Sequence, residues 1–438
     1  MLTTPRILRC WPALLLALSS SVACASITEP TRLTLANGLR VVLAPDSLAS
    51  ALDVSLWFGS GIRHETPAQA GLALLTARLT FRNGESDPLA ALSAEGGTGG
   101  VTVTPDLTCF SATMPEEGLG AALAFLAERL PGRPTNATEL AAERAALRGD
   151  LARSERTPIA RGLASLWAAA WPGHPYARNG APPAAGADAL TATQVEAWRR
   201  AYYSPGNAVL TVAGAFDRDR SLAEIRQRFE RLPRGAAGTG SRPGAPRAAA
   251  RSSASIELPA RLCLMGWRGP GAADPDKPAL ELLAAWLGDG SQARLSSSLV
   301  RFSGLALGAQ AGFIPEKEGS LLWSVAVVAP GADSAAVERA LLDAAREVTE
   351  HAPEAFEVER ARRRLEAARA FDLQTARQRG QWLGEAEMLA GDAATATRWL
   401  DALGRVTPDD LRRVAARVMT DAARATVWLL PAGAGGAR

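Results

Sequence analysis

Apolar positions in residues 70–84, AGLALLTARLTFRNG, fall at Leu72, Leu75 and Leu79. That i, i+3, i+7 stripe predicts a core-facing helix over 70–82. Apolar runs at 39–43 and 54–58 predict a strand pair ahead of it. Strands over 100–112, a helix over 117–130 and a long charged helix over 137–155 follow, and a further helix leads to a strand over 208–214. The same succession returns as a helix over 277–287, strands through 320–328, helices over 334–350 and 353–378, and a last strand over 424–430. Thr191 and Thr407 are matching N-cap candidates for the closing helices, and Pro408 suits a first helical position. Helices and strands mix without strict βαβ alternation, which predicts an α+β fold with helices on one face of each sheet.

The two halves share sequence as well as order. Trp57, Gly59 and Gly61 of SLWFGSG match Trp267, Gly269 and Gly271 of MGWRGPG at a constant offset of 210. LAAERAALRGD (140–150) matches FEVERARRRLE (356–366), and 190–212 matches 406–428, both at an offset of 216. Three collinear matches indicate one fold used twice. They divide the chain into 26–232 and 255–438, joined by a Gly-, Pro-, Ser- and Arg-rich segment, 233–254, expected to be a flexible linker.

Composition narrows the function. With 438 residues and 47% hydrophobic content, the chain can fill two cores. A formal net charge of +3 argues against nucleic acid as a partner. Residues 1–25 carry Arg6 and Arg9, an apolar stretch and an Ala23-Cys24-Ala25 cut site, the pattern of a signal peptide. Export to the periplasm is expected, by cleavage after Ala25 or by lipidation of Cys24. No later run is long and apolar enough to cross a membrane. Cys109 and Cys263 are expected to be separate buried thiols.

Four stretches carry a family resemblance: LTLANGLRVVLAPD (33–46), GSGIRHETPAQAGLALLTARLTFRNG (59–84), HPYARNGAPPAAGADALTATQVEAWRRAYYSPGNAVLTVAGAFD (174–217) and GDGSQARLSSSLVRFSGLALGAQAGF (288–313). Together they resemble the pitrilysin/insulinase metallopeptidases, of the mitochondrial-processing-peptidase type and its short bacterial members. The resemblance implies two homologous domains, each a mostly antiparallel sheet, arranged as a clamshell. Catalytic members carry H-x-x-E-H on a helix, with two histidines binding zinc and the glutamate polarising water. Here Leu74 and Arg78 stand at the histidine positions, Ala77 at the glutamate, and Asp150 at the downstream ligand. Leucine and alanine offer no donor, and arginine places a fixed positive charge where a dication would sit. The family's C-terminal arginine and tyrosine fall at Val300 and Leu307, with Arg301 one residue away.

Three readings follow. The first is a non-catalytic subunit, without its own cofactor, that pairs with a zinc-bearing homologous peptidase to form a peptide-degrading or processing chamber. The second is a peptidase-independent binding or assembly scaffold. The third is a zinc metalloendopeptidase with an unorthodox site, assembled from the three histidines, His64, His174 and His351. Arg78 and Asp150, on positions that share one metal in catalytic members, are expected to form an ion pair with each other.

Overall fold

The computed structural model describes residues 29–432 except 86, 131–132, 156, 180–183, 237 and 239–247. The segment 1–25, expected as a signal peptide, with Cys24, and the middle of 233–254 lie outside the described residues.

The first half runs β1 (Thr31–Thr34), β2 (Arg40–Pro45), β3 (Ala51–Phe58), α1 (Leu72–Arg82), α2 (Ala90–Ala94), β4 (Thr98–Val103) and β5 (Thr108–Pro115). It continues through α3 (Leu119–Arg129), α4 (Ala137–Glu155), α5 (Pro158–Ala170), α6 (Ala192–Tyr202), β6 (Ala208–Gly214) and α7 (Arg218–Phe229). The second half runs β7 (Arg251–Ile256), β8 (Leu262–Gly269), α8 (Lys277–Gly288), β9 (Ala306–Pro315), β10 (Ser320–Val328), α9 (Ser334–Glu350) and α10 (Ala355–Asp372). It ends with α11 (Ala376–Glu385), α12 (Ala394–Thr397), α13 (Trp399–Gly404), α14 (Pro408–Val418) and β11 (Arg424–Pro431).

Sheet orders are β1-β2-β6-β3-β5-β4 and β7-β11-β8-β10-β9. Without β1 the two are the same order, which is the duplication in three dimensions. Among the described residues only the β2–β6 and β7–β11 pairings are parallel. Thr191 and Thr407 cap α6 and α14 with reciprocal side-chain and backbone bonds, and Pro408 sits in the first turn of α14. Cys109 and Cys263 are buried and unpaired with each other. Among the described residues no helix is long and apolar enough to cross a membrane.

Helices cover more than one face of each sheet. The first sheet packs one face on α1, α3, α4 and α7 through Leu75, Leu123, Leu147 and Ile225. Its other face, with Val42, Trp57, Cys109 and Val209, is covered by Leu383 of α11 and by Met388, Ala393 and Ala396, all from the second half. In return α5 of the first half lays Leu166 and Trp167 on Leu262, Leu264, Val427 and Leu429 of the second sheet. The reason is in the strands: β6 is buried at every position, and β3 at all but its first. A sheet apolar on both faces needs cover on both.

Two sequence expectations shift accordingly. The helix expected over 353–378 breaks after Asp372, because Thr375 caps a new helix through Gln378. That break lets α11 leave α10 and cross to the first sheet. The segment 233–254 ends inside β7, which begins at Arg251 and pairs with β11.

Close approach at each crossing relies on glycine. A methyl on Gly384 of α11 would sit 2.2 Å from Trp57 Nε1, and one on Gly162 of α5 would sit 2.9 Å from a Leu264 methyl. Gly384→Ala is therefore expected to destabilise the chain by about 1–3 kcal/mol, since the buried indole must move. Gly162→Ala meets the end of a flexible side chain and should cost less. Chemical denaturation of the two variants beside the parent checks the order.

Candidate functional site

Helix α1 starts at Gly71, whose φ of 93° suits glycine. The Glu65 carboxylate caps it, accepting from the backbone N–H of Gly71 at 3.0 Å and of Ala73 at 2.8 Å. At the far end Asn83, with φ of 50°, donates its N–H to the Leu79 carbonyl. Arg129 donates to the Phe81 carbonyl at 2.9 Å. The frame around the helix is thus intact and rigid.

Its inward face is core. Leu72, Leu75 and Leu79 are buried, as the stripe predicts, and so is Ala77. Leu74 packs against the same core and is partly buried. The outward face meets α4. Arg78 donates to the Asp150 carboxylate, the expected pair, and Arg153 holds the other Asp150 oxygen. One turn on, Arg82 reaches Glu143 at 3.0 Å. Arg78 and Arg82 are four apart on α1, and Asp150 and Glu143 seven apart on α4, so two ion pairs zip the helices antiparallel. Leu140, Leu147 and Leu151 bury the remaining face of α4.

A zinc ion does not fit this donor set. Leu74 and Ala77 lack lone pairs, Arg78 keeps its proton, and Asp150 is already shared between two guanidinium groups. Among the described residues no group of three or more His, Cys, Asp or Glu side chains converges as metal donors.

The histidines are committed elsewhere. His64 Nδ1 accepts from the Gly61 N–H at 3.0 Å, and burial pushes the imidazole down to about 4. His174 Nδ1 accepts from the Tyr176 N–H at 3.1 Å, with its Nε2 3.7 Å from Glu318; burial lowers its pKa too. His351 is exposed, at the end of α9.

Val300 lies in a π-helical turn, Ser296–Phe302, and Leu307 on the edge strand β9. With Ile159 and Arg301 they line a groove of about 420 Å³, to which neither α1 nor α4 contributes. Arg301, the residue one position away, is exposed and donates to Ser297 Oγ.

One polar cluster is absent from the sequence reading. Buried Asp106 is held by Arg63 at 2.6 Å, by the Tyr176 hydroxyl at 2.8 Å and by the Lys317 N–H at 2.8 Å. The Tyr176 hydroxyl accepts from the Glu318 N–H at 3.0 Å, and Arg63 also reaches the Glu318 carboxylate at 2.6 Å. The HPY block therefore pins the β9–β10 turn of the second half to the first. Tyr176 was visible as part of the motif; nothing in the sequence pairs Arg63 with Asp106 or Glu318.

Two outcomes are expected here. Arg78 is 22% exposed and Asp150 36%, so a double-mutant cycle with Arg78→Ala and Asp150→Ala should give a coupling of about 1 kcal/mol or less. Glu65 titrates unusually: burial lifts it to about 7 from 4.5, against the Gly71 and Ala73 N–H groups and Arg178. A raised folded pKa means a contribution present in full below pH 4.5 and lost as pH rises through 7. Stability curves of Glu65→Gln should lack the parent's decline over that window.

Sequence and structure comparisons agree on a relationship. The profile for Insulinase (Peptidase family M16) matches residues 40–183, and that for Peptidase M16 inactive domain matches 189–365. An uncharacterized zinc protease of Streptomyces coelicolor is 26% identical over 404 residues, covering 89% of this chain and 87% of its own. The zinc protease PqqE of Helicobacter pylori is 24% identical over 315 residues, 67% and 69% of the two chains. A crystal structure of a protease from Helicobacter pylori shares the fold with a TM-score of 0.84 at 20% identity, over 92% of this chain and 100% of that one. A Pseudomonas fluorescens structure described as a peptidase M16 inactive domain gives 0.82 at 21%, over 92% and 98%. Two matching domain profiles in order, on a duplicated α+β clamshell, make this chain a member of the insulinase, or M16, peptidase family.

Proposed function

We propose that this peptidase-like protein is a non-catalytic subunit that pairs with a zinc-bearing homologue in the periplasm, where the two would form a peptide-degrading or processing chamber. One observation carries the reading: the arginine at the second zinc-ligand position is tied to the carboxylate that would have been the last ligand. The pair satisfies both groups without a metal and holds α1 on α4, so the wall of the site is kept while its chemistry is gone. Zinc belongs, on this reading, to the partner alone, and the names of the relatives as zinc proteases speak for the company such a chain keeps.

Peptide would still have a place to bind. Strand β4 is one edge of the first sheet and, among the described residues, pairs only with β5. Its open side can accept an extended peptide as an added strand. The scaffold reading needs no such peptide and no peptidase, and the same experiment separates them. Native purification from the periplasm is expected to bring down a homologue with intact H-x-x-E-H. Mixing the two should raise peptide cleavage above that of the homologue alone. Recovery of this chain by itself, with no gain on mixing, would leave the scaffold reading in place of this one.

A further inference from the structure

Beside α11, where that helix leaves the second half, lies a cavity of about 460 Å³ walled by Trp382, Trp399 and Phe313. Its volume is within the roughly 300–1,000 Å³ of small-molecule sites. Helices α8 and α10 border it and are the duplicates of α1 and α4. In the first half the groove between these helices is filled by arginine–carboxylate pairs. Here it is open.

Most charged groups in the cavity are matched. Lys277 Nζ lies 3.3 Å from Glu281, which also accepts the indole N–H of Trp399. Asp274 is held by Arg417 at 2.6 Å. Two groups are not matched in this way. Arg369 sits between the two tryptophans, which meet edge to face, its guanidinium carbon 4.9 Å from the Trp382 ring centre and 5.1 Å from that of Trp399. Its nearest carboxylate, Asp372, is 4.0 Å away, and its Nε has no hydrogen-bond partner among the described residues. Glu385 is open to solvent and has no hydrogen bond or ion pair among the described residues. Crowding by the walls raises its pKa, against the pull of Lys277 and Arg369.

We propose that this cavity binds a free amino acid with an apolar side chain, as the zwitterion. The α-ammonium sits on Glu385, the carboxylate on the in-plane edge of Arg369, and the side chain on Trp382 and Phe313. An anion alone would face Glu385 without compensation. An amine alone would leave the guanidinium edge of Arg369 unmatched. The zwitterion satisfies both, and charge-assisted contacts of this kind are the strong ones. The site is independent of any pairing with a peptidase, because α8, α10 to α13 and β9 of this chain build it.

The test is calorimetric titration of the full chain with L-phenylalanine and L-leucine, beside phenylalaninamide, which lacks the carboxylate, and N-acetylphenylalanine, which lacks the ammonium. Saturable binding of the free amino acids is expected, with both blocked forms at least about tenfold weaker. Glu385→Gln should weaken phenylalanine by about tenfold to a hundredfold while circular dichroism stays that of the parent. Absence of saturable binding at millimolar amino acid would overturn the proposal. So would equal affinity for phenylalaninamide, or an unchanged affinity in Glu385→Gln. The titrations of the parent decide the matter even where the variant fails to fold.

Discussion

Both sheets bury both faces, and the rest of the architecture follows from that. Strands such as AVLTVAG (208–214) have no polar side to turn to water. Each half has helices of its own for one face only, and the other is covered by a helix lent from the opposite half. The two halves cannot separate without exposing Trp57, Val209, Leu264 and Val427.

On that frame the helix aligned with the family's zinc motif turns guanidinium groups outward to α4. A metal site gathers anionic and neutral donors around a cation. Here the cation is covalent, a guanidinium at Arg78 and another at Arg82, and the carboxylates of α4 come to it. Removing the metal while leaving Asp150 would have put an unmatched carboxylate beside the core. Arg78 and Arg153 match it, each donating to one of its two oxygens. Because the pair is partly open to water, its value lies more in fixing how α1 meets α4 than in stability.

Much of this was legible in the sequence, for stated reasons. The 3.6-residue stripe of Leu72, Leu75 and Leu79 faces the core, and the collinear repeats mark the duplication. The Arg78–Asp150 pair follows from aligned positions that share a metal elsewhere in the family. What was not legible came from one local cap and from long-range contacts made only in the fold. Thr375 with Gln378 is a capping box inside a charged run, and charge periodicity alone carried the helix straight through it. Apolar strands say that both faces are covered, but not by whose helix. Arg63, Asp106, Tyr176 and Glu318 come together only through the fold, and so does the carboxylate of Glu385 facing Arg369 across a tryptophan-lined cavity.

The claim on which this account rests is that the helix 72–82 no longer belongs to a zinc site. Equilibrium dialysis of chelator-treated chain against buffered free zinc, with the metal counted per chain by elemental analysis, tests it most directly. The account predicts far less than one zinc per chain, unchanged by Asp150→Ala. One zinc per chain, lost on Asp150→Ala, would contradict it.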